Sequence, residues 1–307
     1  MTTLASAPPA PDTAGAPSSP SRWQPTRRFL RAYLAMPTGV AGALILLAFT
    51  GLAVFAPLFI HPSDLSVTDA HGPLLHPPTA GFPLGTDQPG RSVLDLVIWG
   101  ARPSLAIGVL ATVLTMFLGA VVGMVAGHYE GFGGRALMHV TDWFIALPSL
   151  PLAISLAAVL GQGATSITIA IAVTSWTGTA RLVRAQTLAV EARPFVERAK
   201  ALGASNVQIM ARHVLPNVMP LILVSSTLTV SSAILSETTL TFLGLGNPTD
   251  VSWGTMLNQA FGQGAVTSGA WWYLLPPGIA ILIVVLGFTL VGRAVEQILN
   301  PKMATTS

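Results

Sequence analysis

The chain has 307 residues, of which 51% are hydrophobic and only 9% are Asp, Glu, Lys or Arg, and its mean hydropathy is +0.65. A soluble domain would carry roughly a quarter charged residues, so this composition belongs to an integral membrane protein. Cysteine is absent, which removes disulfides, thiolate chemistry and cysteine metal sites; fifteen basic residues are too few for a nucleic-acid-binding face, although the sequence pI is 9.8.

Residues 1–21 are mostly Ala, Pro, Ser and Thr with one acid and no apolar periodicity, which reads as a disordered cytoplasmic tail reaching to about residue 25. The first apolar run, Thr38–Ile60, exceeds the ~7–15 residues of a signal-peptide core and reads as a retained transmembrane helix. With its following extracytoplasmic loop it makes up residues 26–102. That loop is rich in Pro and Gly and carries His61, His71 and His76, whose spacing has no metal-ligand period.

Residues 103–300 read as a five-helix core. A span needs about 20 apolar residues to cross ~30 Å of hydrocarbon. The segments that qualify are Pro103–Gly127, Ala136–Leu160, the short and Thr-rich Thr165–Ala180, Val218–Leu240 and Trp272–Gly292. In the second span Gly119, Gly123 and Gly127 recur every fourth residue, a face on which another helix can approach backbone to backbone. Trp271 and Trp272 stand at a span edge, where interfacial anchors are expected.

With the N-terminus inside, thirteen basic residues fall on the cytoplasmic side and only Arg91 and Arg102 outside. This asymmetry supports an all-α, six-span protein with both termini in the cytoplasm. The loop 181–216 is the most charged segment, with six bases and two acids. After Pro194, the residues Phe195, Ala199 and Leu202 recur at helical spacing. Gly203 stands where a helix would end in a left-handed turn, and Ser205 can cap a second short helix. In that helix Val207, Met210 and Val214 would share a face, and Pro216 would end it before the fifth span. Two amphipathic helices joined at a glycine elbow fit either anionic lipid or a docking cytoplasmic partner, and the residue pattern alone allows both.

Intramembrane acids are functional candidates by default. Asp142, near the inner start of the third span, and Glu237, near the outer end of the fifth, are candidates for the pathway or its gate, or for structural roles. Ser225, Ser226, Thr227, Thr229, Ser231 and Ser232 make the fifth span unusually hydroxylated, which suits interhelical bonding or a hydrated wall. A secondary transporter would need midplane ion-coupling groups on broken helices, and neither those nor an internal repeat is evident. An intramembrane aspartyl protease would need a second intramembrane Asp, and a serine protease a Ser–His pair in which only His139 could serve.

The stretch "ERAKALGASNVQIMARHVLP" resembles the EAA loop of ABC importer permeases, with Glu197, Ala199, Gly203, Leu215 and Pro216 at the motif's places and Arg198 in place of its middle Ala. "GTDQPGRSVLDLVIWGARPSL", with Ser92 where that family often has Asp, resembles the C-type permease subunit of dipeptide and oligopeptide importers. So do "ETTLTFLGLG", "SWGTML" and "AWWYLLPPGIAI". The likeness covers roughly residues 30–300.

It implies a type I ABC importer permease fold in a bacterial inner membrane, moving di- or oligopeptides, or alternatively nickel or another small solute. It further implies a second permease subunit, two ATPase subunits carrying ATP and Mg, and an extracytoplasmic substrate-binding protein. The coupling role would fall on Glu197, Ala199, Gly203, Ser205, Leu215 and Pro216. No cofactor is expected on this chain. Its two lysines, Lys200 and Lys302, do not follow glycine, so no phosphate-binding loop of the G-x-x-x-x-G-K-[ST] kind exists.

Overall fold

Hydrocarbon offers no hydrogen bonds, so a chain this apolar must satisfy its backbone internally, and helices do so within one segment. A computed structural model describes residues 24–129 and 131–299. Among these, eleven helices follow in order: α1 Gln24–Leu34, α2 Pro37–Phe59, α3 Val93–His128, α4 Phe132–Ala146, α5 Ser149–Leu160, α6 Ala164–Glu191, α7 Pro194–Ala201, α8 Asn206–Ile209, α9 Leu215–Phe242, α10 Trp253–Gly262 and α11 Trp271–Leu299. The expected tail lies outside the described residues up to position 23, and its last two residues, Gln24 and Pro25, open α1.

Among the described residues four helices are long and apolar enough to cross a membrane: α2, α3, the continuous helical stretch Asn206–Phe242 and α11. The pair α4–α5 makes a fifth if counted as one broken span. The remaining candidate, α6, has the length but carries Arg181, Arg184 and many threonines.

Four sequence expectations need correction. The second span begins at Val93 rather than Pro103. Ser92 caps it by accepting from the Asp95 amide at 3.4 Å, and Pro103 lies inside the helix, as membrane helices permit when neighbours supply the lost bond. The third span is not one rod: α4 and α5 meet at 93°. Proline forces its predecessor out of the α region and lacks an amide to continue the ladder. Accordingly Leu147 is extended (φ −83, ψ 135) and Pro148 opens α5.

The helix expected as the fourth span continues to Glu191, so Arg181 and Arg184 ride on a helix and the non-helical connection is shorter than 181–216. Finally, Pro216 does not separate a loop helix from the fifth span. A π-helical turn, Met210–Val214, joins α8 to α9, and Pro216 sits in the first turn of α9. A residue without an amide is tolerated where the ladder changes register.

Packing centres on α3, α6, α9 and α11. The tightest seam joins α3 to α6. A Cβ added at Gly119 would lie 2.6 Å from Thr179 Cβ, one at Gly123 would lie 2.5 Å from the Ala180 carbonyl, and one at Gly127 would lie 2.7 Å from Thr187 Cβ. The three glycines thus set the separation of the two helices. On the opposite side α2 packs against α11 at Gly39 and Gly42, where a Cβ would meet Ala294 at 2.7 Å and the Gly287 carbonyl at 2.8 Å.

Gly123→Val should overpack the α3–α6 seam and destabilise the protein by about 1–3 kcal/mol or more. Gly178→Val, on the same α6 but with open space around its Cβ, should cost far less. Thermal unfolding midpoints in detergent compare the two.

Candidate functional site

The elbow begins where α6 ends. Arg193 is extended and Pro194 takes the first position of α7, where its missing amide is harmless. The turn of helix ends in a left-handed glycine: Gly203 has φ +82, and its amide and that of Ala204 bond back to Lys200 and Ala199 at 3.0 Å each. Ser205 then caps α8 reciprocally. Its hydroxyl accepts from the Gln208 amide at 3.3 Å while its own amide donates to Gln208 Oε1 at 3.1 Å.

The elbow has two apolar sides. Val196, Ile209, Val214 and Val218 are buried together with Met116, Val183 and Val190, which seats the elbow on α3 and α6. The other side points away from the chain: Leu202 is 88% exposed, Val207 69% and Phe195 39%. The expected Val207–Met210–Val214 face is therefore not formed. The π-helical turn advances the register by one residue, placing Ile209 and Val214, five apart, on the inner face and turning Val207 outward. Glu197 and Ser205 are exposed, Ala199 is half-buried, and Leu215 and Pro216 enter α9.

Between elbow and bundle lies a charge cluster that the sequence reading missed. The Glu191 carboxylate contacts His128 Nδ1 at 2.5 Å through one oxygen and Lys200 Nζ at 2.8 Å through the other. The lysine contact is an ion pair rather than an aligned hydrogen bond. The His128 and Glu191 side chains are 4% and 10% exposed, and the Tyr129 ring meets the imidazole edge-on. The available signal was that His128 and Glu191 each end a span-length helix, in a chain with few charges.

At the opposite end of the bundle a clamp holds the 61–92 loop. Asp87 is fully buried and Arg91 nearly so. Asp87 accepts from the Arg91 amide at 2.6 Å and from its Nε at 2.7 Å, while the rest of the guanidinium donates to the Leu65 carbonyl (3.1 Å) and to Gln259 of α10 (3.0 Å). Burial pushes the Asp87 carboxyl up, and the Arg91 charge and hydrogen bonds pull it back. Trp272 donates to the Thr86 carbonyl at 3.2 Å, so this aromatic at a span edge also pins the loop.

Of the acid candidates, Glu237 is fully buried on α9. It is surrounded by the hydroxyls of Ser104, Thr238, Ser252 and Thr241, and one carboxyl oxygen has no protein partner. A cavity of about 20 Å³ reaches it, lined also by Asn247 and Asp250. Asp142 instead sits on α4 and pairs with Arg181 of α6 at 2.6 Å, both side chains about half exposed. The two acids are thus on different helices with different surroundings. Of the outer histidines, His61 closes a capping box on the 3₁₀ turn Pro62–Leu65, and His76 hydrogen-bonds the Pro77 carbonyl.

The helical bundle bears an exposed elbow at one end, and the proteins it is similar to are transport permeases. Residues 119–305 match the family described as "Binding-protein-dependent transport system inner membrane component". The glutathione transport system permease protein GsiD of Pectobacterium atrosepticum is 32% identical over 280 residues, covering 91% of this chain and 92% of that one. The di/tripeptide transport system permease protein DppC of Pseudomonas aeruginosa is 37% identical over 286 residues, 91% of this chain and 93% of its own. The dipeptide transport system permease protein DppC of Bacillus subtilis is 36% identical over 281 residues, 90% and 84%. The chain belongs to this family of ABC transporter permeases. It is a component of the bacterial inner membrane without an ATPase site of its own.

Asp87→Asn should cost about 3–5 kcal/mol, because it leaves a buried guanidinium without its counter-charge. Asp142→Asn breaks a half-exposed pair and should cost no more than about 1 kcal/mol. Unfolding of the two variants in detergent, compared at matched pH, gives the order.

Proposed function

We propose that this chain is one of two permease subunits of an ATP-driven importer of di- and oligopeptides, with six spans and both termini in the cytoplasm. The thirteen-to-two distribution of basic residues supports that orientation. The bent α4–α5 pair and the polar α6 would then be the third and fourth spans, the latter shielded by its seam with α3. The peptide substrate rests on the relatives' names, di/tripeptide, dipeptide and glutathione, all short peptides. A second permease, two ATPase subunits binding ATP and Mg, and a substrate-binding protein would complete the system.

The observation that carries the mechanism is the two-sided elbow. Phe195, Leu202 and Val207 are turned off the bundle while Val196, Ile209 and Val214 are fixed to it. Large exposed apolar side chains at a rigid turn serve as a contact for a protein partner. An ATPase subunit seated there would move α7 as a body, and the buried face would pass that displacement to the spans, switching the pathway between outward- and inward-open states. Glu197, Ala199, Gly203, Ser205, Leu215 and Pro216 shape this element. Glu237 would hold the outer end of α9 against α3 and α10, with its free oxygen facing the small outer cavity, and Asp142 would tie α4 to α6.

Co-expression with the neighbouring transporter subunits, affinity capture of this chain and uptake assays in proteoliposomes test the reading. The expected result is a stoichiometric complex with ATPase subunits and ATP-dependent import of a labelled dipeptide. A complex that imports nickel but no peptide would assign the other substrate class, and capture without any ATPase would contradict the coupling role. Gly203→Val should leave insertion and assembly intact, since a Cβ there meets nothing, yet lower uptake at least about tenfold. A β-branched residue at φ +82 costs at least about 1–2 kcal/mol and bends the elbow instead. Uptake at the unmodified rate by an assembled Gly203→Val complex would count against a rigid elbow.

A further inference from the structure

Resting on that coupling role, we propose that His128, Glu191 and Lys200 form the joint through which motion of α7 is delivered to the α3–α6 pair. The three residues come from three helices. His128 ends α3, Glu191 ends α6 and Lys200 lies in the last turn of α7. The carboxylate bridges the other two, at 2.5 Å to His128 and 2.8 Å to Lys200. α3 and α6 are already locked along the Gly119–Gly123–Gly127 seam, where no side chain could be added to slide between them. An attachment made where both helices end therefore grips them as one body.

The attachment is directional. On the α6 side of Gly203, α7 is held by the buried Val196 and by the Lys200–Glu191 ion pair. On the other side the chain leaves through a left-handed glycine, a four-residue helix and a π-helical turn before α9 begins. The π-helical turn, a change of helical register, is where this connection bends at low cost. Displacement of α7 is thus carried stiffly to α3 and α6 and more loosely to α9, so that α9 turns relative to the pair. Apolar contacts alone slide; a nearly buried carboxylate with two partners fixes position, because separating it from either leaves charge without compensation. The joint is a positioning device for the transport cycle and touches neither nucleotide nor substrate.

The test uses the whole transporter in proteoliposomes and reads ATP hydrolysed per substrate imported. Glu191→Gln and Lys200→Gln should raise that ratio at least about fivefold, the lower end of usual energetic coupling between sites, with ATP hydrolysis within about twofold of normal. Lys200→Arg, which keeps the charge, should restore the ratio. An unchanged ratio in both glutamine variants overturns the proposal, and so does an equal fall in hydrolysis and import, the mark of a merely structural role. If Glu191→Gln does not assemble, the half-exposed Lys200→Gln decides by the same criteria. Failure of the unmodified complex to couple ATP hydrolysis to import would instead overturn the function beneath the proposal, and the proposal with it.

Discussion

In the last three turns of α3 the side chains vanish at Gly119, Gly123 and Gly127, and α6 fills the space they leave, with Thr179, Ala180, Val183 and Thr187 where Cβ atoms would otherwise stand. Between helices in lipid there is no hydrophobic gain from association, so van der Waals contact and close backbone approach must hold them. The seam therefore sets the spacing of the two helices and, through it, where each of their ends lies. At the inner end it brings His128 beside Glu191. It also covers much of the Thr-rich α6, which is too polar to face lipid along its length: Thr177, Thr179 and Thr187 are all buried.

Polar interactions are placed at the two ends of this framework. At one end, the Asp87–Arg91 pair reaches Leu65 and Gln259, while Trp253, fully buried, donates from its indole to the Val97 carbonyl at 2.9 Å. The outer loop and α10 are thereby fastened to α3. At the other end, Glu191 performs the corresponding service for α7. Between the ends, the hydroxyls of Thr112, Thr141, Thr168, Thr187 and Thr241 bond carbonyls three or four residues back in their own helices, so they leave no unsatisfied group and reserve no site.

Much of this could be read in the sequence because it depends on local rules. A left-handed glycine at 203, a Ser cap at 205 and a helix opening at Pro194 follow from single residues and their immediate neighbours, and the structure has all three. What escaped depends on partners distant in sequence or on register. The α4–α5 bend needs only Pro148, yet its consequence was hidden because the apolar run continues through it. The π-helical turn moves Val207 from the inner to the outer face, a one-residue shift that no periodicity count of so short a segment reveals. Glu191 and His128 are 63 residues apart and Arg91 and Gln259 are 168 apart, so neither contact has a local signature. Glu237 was visible as an acid in a span, but its setting among Ser104, Thr238, Thr241 and Ser252 required three elements to come together.

If an ATPase subunit docks on the elbow, the face bearing Leu202 is a protein contact rather than a lipid-facing surface. Because the chain has no cysteine, a single Leu202→Cys substitution supplies a unique reactive site at the most exposed apolar position of the turn. In membranes containing the full transporter, a short thiol-to-amine cross-linker at that site should join this chain to an ATPase subunit, and the yield should change when nucleotide is added. The same reagent at Val159→Cys, exposed at the far end of α5, should give no such product. Absence of an ATPase adduct from Leu202→Cys, together with quenching of a fluorophore placed there by lipid-borne quenchers, would contradict the account and assign the elbow to the membrane surface.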